Sequence, residues 1–115
     1  MSDFFDNWTV QVRKGMLETC ILSALAQKER YGYELVKMLV ETPGLSVTEG
    51  TLYPILARLR VQDLVTTRLV ESAEGPARKY YALTAEGRKV LRMMGDYLNE
   101  MNAGERRLRQ KGASS

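Results

Sequence analysis

Few side chains in this sequence can do covalent chemistry. There is no histidine and a single cysteine, Cys20. Without an imidazole, no Ser-His-Asp triad or Cys-His dyad can be assembled, and a zinc site lacks the ligands it needs. Cys20 lies within an apolar helical pattern, where a small buried thiol is the expected state, and it has no partner for an intramolecular disulfide. The carboxylates are scattered along the chain, with no pair in a recognisable acid–base arrangement. Neither catalytic residues nor a cofactor are expected. What remains is recognition chemistry, concentrated in Ser46–Leu59, SVTEGTLYPILARL. Leu52, Ile55, Leu56 and Leu59 fall at i, i+3, i+4 and i+7 and form one apolar stripe. The other side carries Gly50, Pro54 and Ala57, flanked by Tyr53 and Arg58. A helix with small residues on its open side brings its backbone close to a large surface. Thr48, Thr51 and Tyr53 offer hydroxyls there, of the kind that bond phosphates or base edges.

The elements that must position this helix follow from the rest of the pattern. A chain of 115 residues is one domain of ordinary size, able to bury roughly two thirds of its unfolded surface. No apolar run approaches the ~20 residues of a membrane span. The start, MSDFFDNW, carries acids and no Lys or Arg, unlike a secretory signal; a reducing, cytoplasmic setting fits. Asp6, Asn7 or Thr9 can cap a first helix, in which Met16, Cys20 and Ala24 make one row and Leu17, Ile21 and Leu25 the next. Gly15 sits inside it and permits another helix to come close. Ala26 to Arg30 reads as a polar connector. Tyr31-Gly32-Tyr33 opens a second helix with Leu35, Met38 and Leu39 as its apolar positions, ended by Thr42-Pro43-Gly44. Thr48 is the best N-cap for the third helix, and Glu49 suits its dipole. Pro54 could instead mark that helix's start, but the apolar stripe favours the longer helix, bent near the proline.

Leu64 to Val70 then reads as a strand, Glu71 to Ala77 as a turn, and Arg78 to Leu83 as the returning strand, with Tyr81 and Leu83 on one face. Thr84 caps a last helix in which Leu91, Met94, Leu98, Met101 and Leu108 keep an a/d rhythm, widened by Val90 and Tyr97. From Glu105 onward the sequence turns basic and small, and fraying is expected. The net charge of +3 arises mainly beyond residue 84, where Arg88, Lys89, Arg92, Arg106, Arg107, Arg109 and Lys111 face Glu86, Asp96, Glu100 and Glu105. Residues 31–63 are slightly acidic, so positive charge is not what distinguishes the third helix. The expected fold is mainly α with a small β-hairpin: a winged helix-turn-helix over 1–83, a dimerisation helix over 84–104 and a basic flexible tail over 105–115.

Four stretches in order, KGMLETCILSAL (14–25), YGYEL (31–35), TEGTLYPILARL (48–59) and RKYYALTAEG (78–87), resemble the PadR family of bacterial transcriptional regulators. The likeness covers roughly residues 8 to 104. It resembles the subgroup with one C-terminal helix. The resemblance implies a homodimeric winged-helix repressor with 48–61 as its recognition helix and 64–83 as its wing. The last helix would pair with the first and last helices of a second subunit. It also implies that Lys14 and Tyr33 face DNA.

On the residues themselves, Thr48, Gly50, Thr51, Tyr53 and Pro54 form the contact face of the third helix. Arg58 either reaches a phosphate or guanine or is simply solvated, as is Arg60. Arg78 and Lys79 stand beside the wing turn. Few base-edge donors means that specificity rests partly on DNA shape. Two-fold symmetry implies a palindromic operator with half-sites about one helical turn apart, or a multiple of it. Val90, Leu91, Met94, Leu98 and Met101 are the expected dimer seam, unless the stripe packs back on its own subunit. By resemblance, Val12, Gly15, Met94 and Leu98 face a space for a small apolar or aromatic effector. Met93, Tyr97 and Met101 add soft and aromatic surface to it. Trp8 is the only tryptophan, so the last helix has none. The competing reading is a winged-helix protein-interaction module without specific DNA binding.

Overall fold

The computed structural model describes residues 2–114; Met1 and Ser115, the outer limits of the first and last expected segments, lie outside them. Helix α1 spans Asp3–Ala24. It begins earlier than the sequence suggests, because the Ser2 hydroxyl accepts the Phe5 N–H at 3.2 Å and so takes the cap expected of Asp6, Asn7 or Thr9. Asp3 and Asp6 then fall in the first turn, where the helix dipole favours acids. The last turn has no base of its own. Arg30 supplies one from outside, its Nε donating to the Ala24 carbonyl at 2.6 Å.

Residues 26–30 are not merely a connector. Arg30–Tyr31 form a short strand, β1, and the hairpin is the rest of a three-stranded antiparallel sheet. Helix α2 follows at Gly32–Val40, helix α3 at Glu49–Val61, and strands β2 and β3 at Val65–Ser72 and Gly75–Leu83. The sheet order is β1-β3-β2. Arg30 pairs with Tyr81 and Tyr31 with Tyr80 on one side of β3. Val65 pairs with Leu83 on the other. The hairpin turn is tighter than expected: only Ala73 and Glu74 lie outside the strands, and Gly75-Pro76 opens β3. A two-residue β1 was unreadable because its stability comes from pairing with residues fifty positions away, not from local pattern.

The core sits where the three helices meet the inner face of the sheet. Leu17, Ile21 and Leu22 of α1 with its C-cap Leu25, Leu35, Val36 and Leu39 of α2, and Leu52, Leu56 and Leu59 of α3 close on Val47, Val65, Tyr81 and Leu83. Two positions in α2 differ from the expected pattern: Val36 is buried, whereas Met38 is 42% exposed. Helix α3 continues through Pro54, as its stripe required. The missing N–H of Pro54 falls on the exposed side, where solvent can serve the orphaned carbonyl.

Helix α3 ends in a Schellman arrangement. Asp63 adopts a left-handed φ of 59°. The Leu64 N–H bonds to the Leu59 carbonyl at 3.0 Å and the Asp63 N–H to that of Arg60 at 3.0 Å. Aspartate tolerates this conformation better than most residues.

Helix α4 spans Ala85–Ser114, 30 residues, or about 45 Å of helix. It stretches the molecule to 66 × 34 × 21 Å. Past Glu105, where fraying was expected, the residues are helical, and Arg109 pairs with Glu105 one turn back at 3.0 Å. Thr84 fixes where α4 begins. Its hydroxyl accepts the Gly87 N–H at 2.9 Å and donates to the Asp63 carbonyl at 2.6 Å. Its own N–H bonds to the Leu64 carbonyl at 3.2 Å. Arg88 ties the same turn to the Ala26 carbonyl at 2.8 Å.

Two predictions follow from these contacts. A β-carbon at Gly87 would stand 2.0 Å from the Leu64 carbonyl oxygen, which is backbone and cannot swing away. Helix propensity alone would make Gly87→Ala stabilising by about 1 kcal/mol. We expect the clash to win, with a net loss of about 1–3 kcal/mol or more, read as a lower urea midpoint. The second concerns Glu29, whose carboxylate accepts from the Arg68 guanidinium across the sheet. That hydrogen bond holds the carboxyl below its usual value. A lowered folded-state value stabilises the fold above the ordinary carboxylate range and loses that contribution as pH falls through the folded value. The difference in Tm between the parent and Glu29→Gln should therefore be present at neutral pH and vanish in acid.

Candidate nucleic-acid interface

Three elements carry the exposed polar groups expected to face DNA. The first is the start of α3. Thr48 occupies the N-cap position, and its carbonyl accepts the Thr51 and Leu52 N–H groups at 3.1 and 3.2 Å. Its side chain does not cap, contrary to expectation. The Thr48 hydroxyl lies 3.3 Å from that of Thr51 instead, which leaves the first turn without a side-chain acceptor. Helix N-termini in this condition present N–H groups to an anion. Gly50, Thr51 and Pro54 are exposed beside it, and Tyr53 is 43% exposed.

The second element is the middle of α1. Lys14 is exposed and, with Val10 and Arg13, lines a shallow concavity whose other wall is Ser46, Val47, Thr48 and Thr51. Two groups far apart in sequence therefore share one depression. Ser46 stands in its wall with a left-handed φ of 47°. Arg58 faces the same side and meets Glu18 at 3.3 Å. Both side chains are substantially exposed, and pairs of this kind are worth about 0–1 kcal/mol. A phosphate could compete for Arg58 at little cost.

The third element is the wing. Period-two alternation puts Arg78 and Lys79 on opposite faces of β3, so the two do not act as one basic patch. Lys79 lies on the face that carries Tyr81 and Leu83 toward the helices. Arg78 lies on the outer face, its guanidinium 5.0 Å from the centre of the Tyr31 ring. Tyr31 also meets Tyr33 and Tyr80, with ring centroids 6.3 and 5.9 Å apart. Tyr33, 57% exposed, thus joins the wing through an aromatic chain. Arg68 completes it, 5.4 Å from the Tyr80 ring and held by Glu29. The wing tip carries Glu71 and Glu74, so its positive charge lies nearer the sheet than the turn.

Sequence reasoning missed Tyr31, Arg68 and Glu29 here. Their roles depend on β1, whose pairing sets Tyr31 beside Tyr80. On the inner face, burial pushes the Tyr81 hydroxyl above its ordinary pKa, with Tyr53 adding to the shift and Arg60 opposing it.

Away from this surface, α1 and α4 run side by side. Thr19 donates to the Met94 sulfur at 3.4 Å. Val12, Gly15, Met16 and Thr19 of α1, with Met94, Tyr97, Leu98 and Met101 of α4, line an open groove of about 370 Å³. Val12, Gly15, Met94, Tyr97 and Leu98, expected to face an effector, line it together with Met101, whereas Met93, expected to add to the same surface, does not line it and is exposed. A β-carbon at Gly15 would meet nothing within 4 Å in this chain. The expected dimer stripe divides along its length. Leu91 and Met94 pack against their own core, and Val90 is half-buried. Leu98 lines the groove, while Met101 is 55% exposed. The stripe thus begins as an intramolecular contact and becomes free surface farther along.

Comparison with known proteins agrees with this architecture. Residues 21–93 match the family model described as the transcriptional regulator PadR-like family. A PadR-like transcription factor from Bacteroides fragilis is 41% identical, with a TM-score of 0.75 over 89% of this chain and 98% of that one. A PadR family transcriptional regulator from Eggerthella lenta is 33% identical, with a TM-score of 0.80 over 92% of each chain. One from Bacillus cereus is 37% identical, with a TM-score of 0.74 over 85% of this chain and 95% of that one. An uncharacterized protein of Lysinibacillus sphaericus is 31% identical over 80 residues, 68% of this chain and 73% of the relative. These relatives with solved structures are transcription regulators, not enzymes. With its winged helix-turn-helix, its C-terminal helix and this match, the chain belongs to the PadR-like family of DNA-binding transcriptional regulators.

Proposed function

We propose that this protein is a homodimeric repressor that binds a two-fold symmetric operator through α3 and its wing, and that a small apolar or aromatic molecule in the α1–α4 groove releases it. The observation that carries the DNA side of this reading is the shared depression of Lys14, Thr48 and Thr51. A cation, two hydroxyls and the open first turn of a helix together make a phosphate contact that fixes the register of α3. Tyr53 and Pro54 then stand toward the groove floor, with Tyr33 and Arg78 along the flanking backbone, while Lys79 lies on the opposite face of the wing. The helix carries little charge of its own, so sequence preference comes from close approach and DNA shape as well as from base-edge bonds.

The effector side rests on the groove. Its volume falls within the range of small-molecule sites, and nearly all its lining is apolar, with two thioethers and one phenol on the α4 wall. It lies next to the exposed part of the α4 stripe, so a ligand there would touch the surface a second subunit would use. A difference in affinity between DNA-bound and free forms is what would make such a ligand a regulator.

Gel-shift titration against the DNA upstream of its own gene tests the reading; equal affinity for random duplex at every salt concentration would overturn it. Lys14→Ala should weaken operator and random duplex alike and reduce the salt slope by about 1. Tyr53→Ala should cost about 1–3 kcal/mol on the operator and little on random duplex. Leu98→Asp should abolish dimerisation and operator binding together; a variant that stays dimeric, or a monomer that still binds tightly, would contradict the assigned seam.

A further inference from the structure

The two faces of the wing differ in chemistry. On the inner face the opposed pairs are Val65 with Leu83, Thr67 with Tyr81, and Leu69 with Lys79. The first two lie against the helices, with Val65 2% exposed and Tyr81 8%. The third stands clear of them. Leu69 is 68% exposed, the one large apolar side chain left open on the sheet among the described residues. Lys79 beside it is exposed, and among the described residues it has no ion pair. On the outer face the bases are already engaged, Arg68 with Glu29 and Arg78 against the Tyr31 ring. Glu71 and Glu74 line a hollow there with Val70, Arg78 and Tyr80, where the register shifts between Val70 and Ser72. The face that packs on the leucines of α3 therefore continues outward as a bare isobutyl group and an unpaired ammonium.

We infer that Leu69 reads the minor groove next to each half-site and selects A·T-rich DNA there, with Lys79 on the adjoining phosphates. The inference rests on the reading in which α3 enters the major groove. It adds a base preference outside the reach of α3.

Three arguments select duplex DNA as the occupant of this face. The first is continuity: the pair lies on the face that meets α3, one rung beyond its packing, and the groove beside a filled major groove is a minor groove. The second is charge, since Lys79 sits directly opposite Leu69 and an ammonium there suits a phosphate. The third is the shape of the groove. At about 6 Å wide it admits single side chains rather than a helix, and A·T-rich stretches narrow it further while deepening its negative potential. A lone aliphatic side chain then touches both sugar walls. A G·C pair puts the guanine amino group on the groove floor, where it takes the space of the leucine and loses its water without gaining an acceptor. Leucine offers nothing to phosphates, so its contribution depends on the base pairs beneath it, whereas a basic side chain at the same place would hold any sequence.

The test uses the full-length chain and duplexes carrying the segment it protects upstream of its own gene. The base pairs flanking each half-site are made A·T, G·C or inosine·C; inosine lacks the amino group but keeps the major-groove edge of guanine. The parent should bind the A·T and inosine·C duplexes alike and the G·C duplex about tenfold more weakly. Leu69→Ala should bind all three alike, at about the parent's affinity for G·C, with an unchanged urea midpoint. Leu69→Met should retain the preference. Lys79→Ala should weaken all three equally and lower the salt slope by about 1. A parent indifferent to the flanks while still preferring the operator over random duplex would overturn this inference and leave the reading of α3 standing. Inosine·C bound as weakly as G·C, or a flank preference that survives in Leu69→Ala, would also overturn it. So would a Leu69→Ala chain whose dimer Kd has shifted, since Leu69 would then be buried between copies. Loss of all operator preference in the parent would overturn both readings together.

Discussion

The structure depends on one crowded backbone crossing, where the Leu64 carbonyl receives the Thr84 N–H at 3.2 Å and lies too close to Gly87 for any side chain there. Three elements meet at that carbonyl. Helix α3 stops immediately before it in a Schellman turn, β2 starts immediately after it, and α4 is capped against it through Thr84. The hydroxyl of Thr84 reaches Asp63 on one side and Gly87 on the other, so a single side chain joins the end of one helix to the start of another. Helix α3, the wing beside it and the long helix that projects from the body are therefore fixed to one another over a few residues. Any rotation of α4 relative to the body has to be absorbed at this crossing or in α4 itself.

Polar groups elsewhere follow the same economy of position. Arg30 closes the end of α1, Arg88 ties α4 to the α1–β1 connection, and Arg68 spans from β2 to Glu29. None of these guanidiniums is buried deep in the core, whose buried side chains are apolar apart from the Tyr81 hydroxyl. The core itself is made mainly of leucines and valines, with Ile21 and Tyr81, drawn from three helices, two strands and the link at Val47, and it leaves no unpaired buried side-chain polar atom among the described residues. Stability thus resides in the apolar interior, while arginines set the angles at which the surface elements leave it. That division suits a DNA-binding protein, since the groups facing a polyanion can be exchanged without disturbing the packing beneath them.

Much of this was legible beforehand because it is periodic. The stripes Leu17/Ile21/Leu25 and Leu52/Leu56/Leu59 recur at helical spacing, and their burial is what makes α1 and α3 face inward. The alternation through Tyr81 and Leu83 set the face of β3 in the same way. The residues proposed to face DNA were legible in kind, as hydroxyls and small residues opposite a leucine stripe, but their grouping was not. Lys14 joins Thr48 and Thr51 only after α1 has crossed α3. Arg78 and Lys79, adjacent in sequence, part to opposite faces only once a strand forms between them.

By itself, then, the sequence determined the element types, their order, the inward faces, the absence of histidine chemistry and the family motifs that lie along them. Those properties depend on local spacing, which neighbouring residues carry without reference to the rest of the chain. The third strand and the division of the α4 stripe were decided by tertiary structure. Each depends on a partner whose position local pattern does not report: β1 exists because β3 is there to pair with it, and Leu91 and Met94 are half-buried because α1 lies beneath them. Burial and pairing across long separations are properties of the folded chain, and only the folded chain displays them.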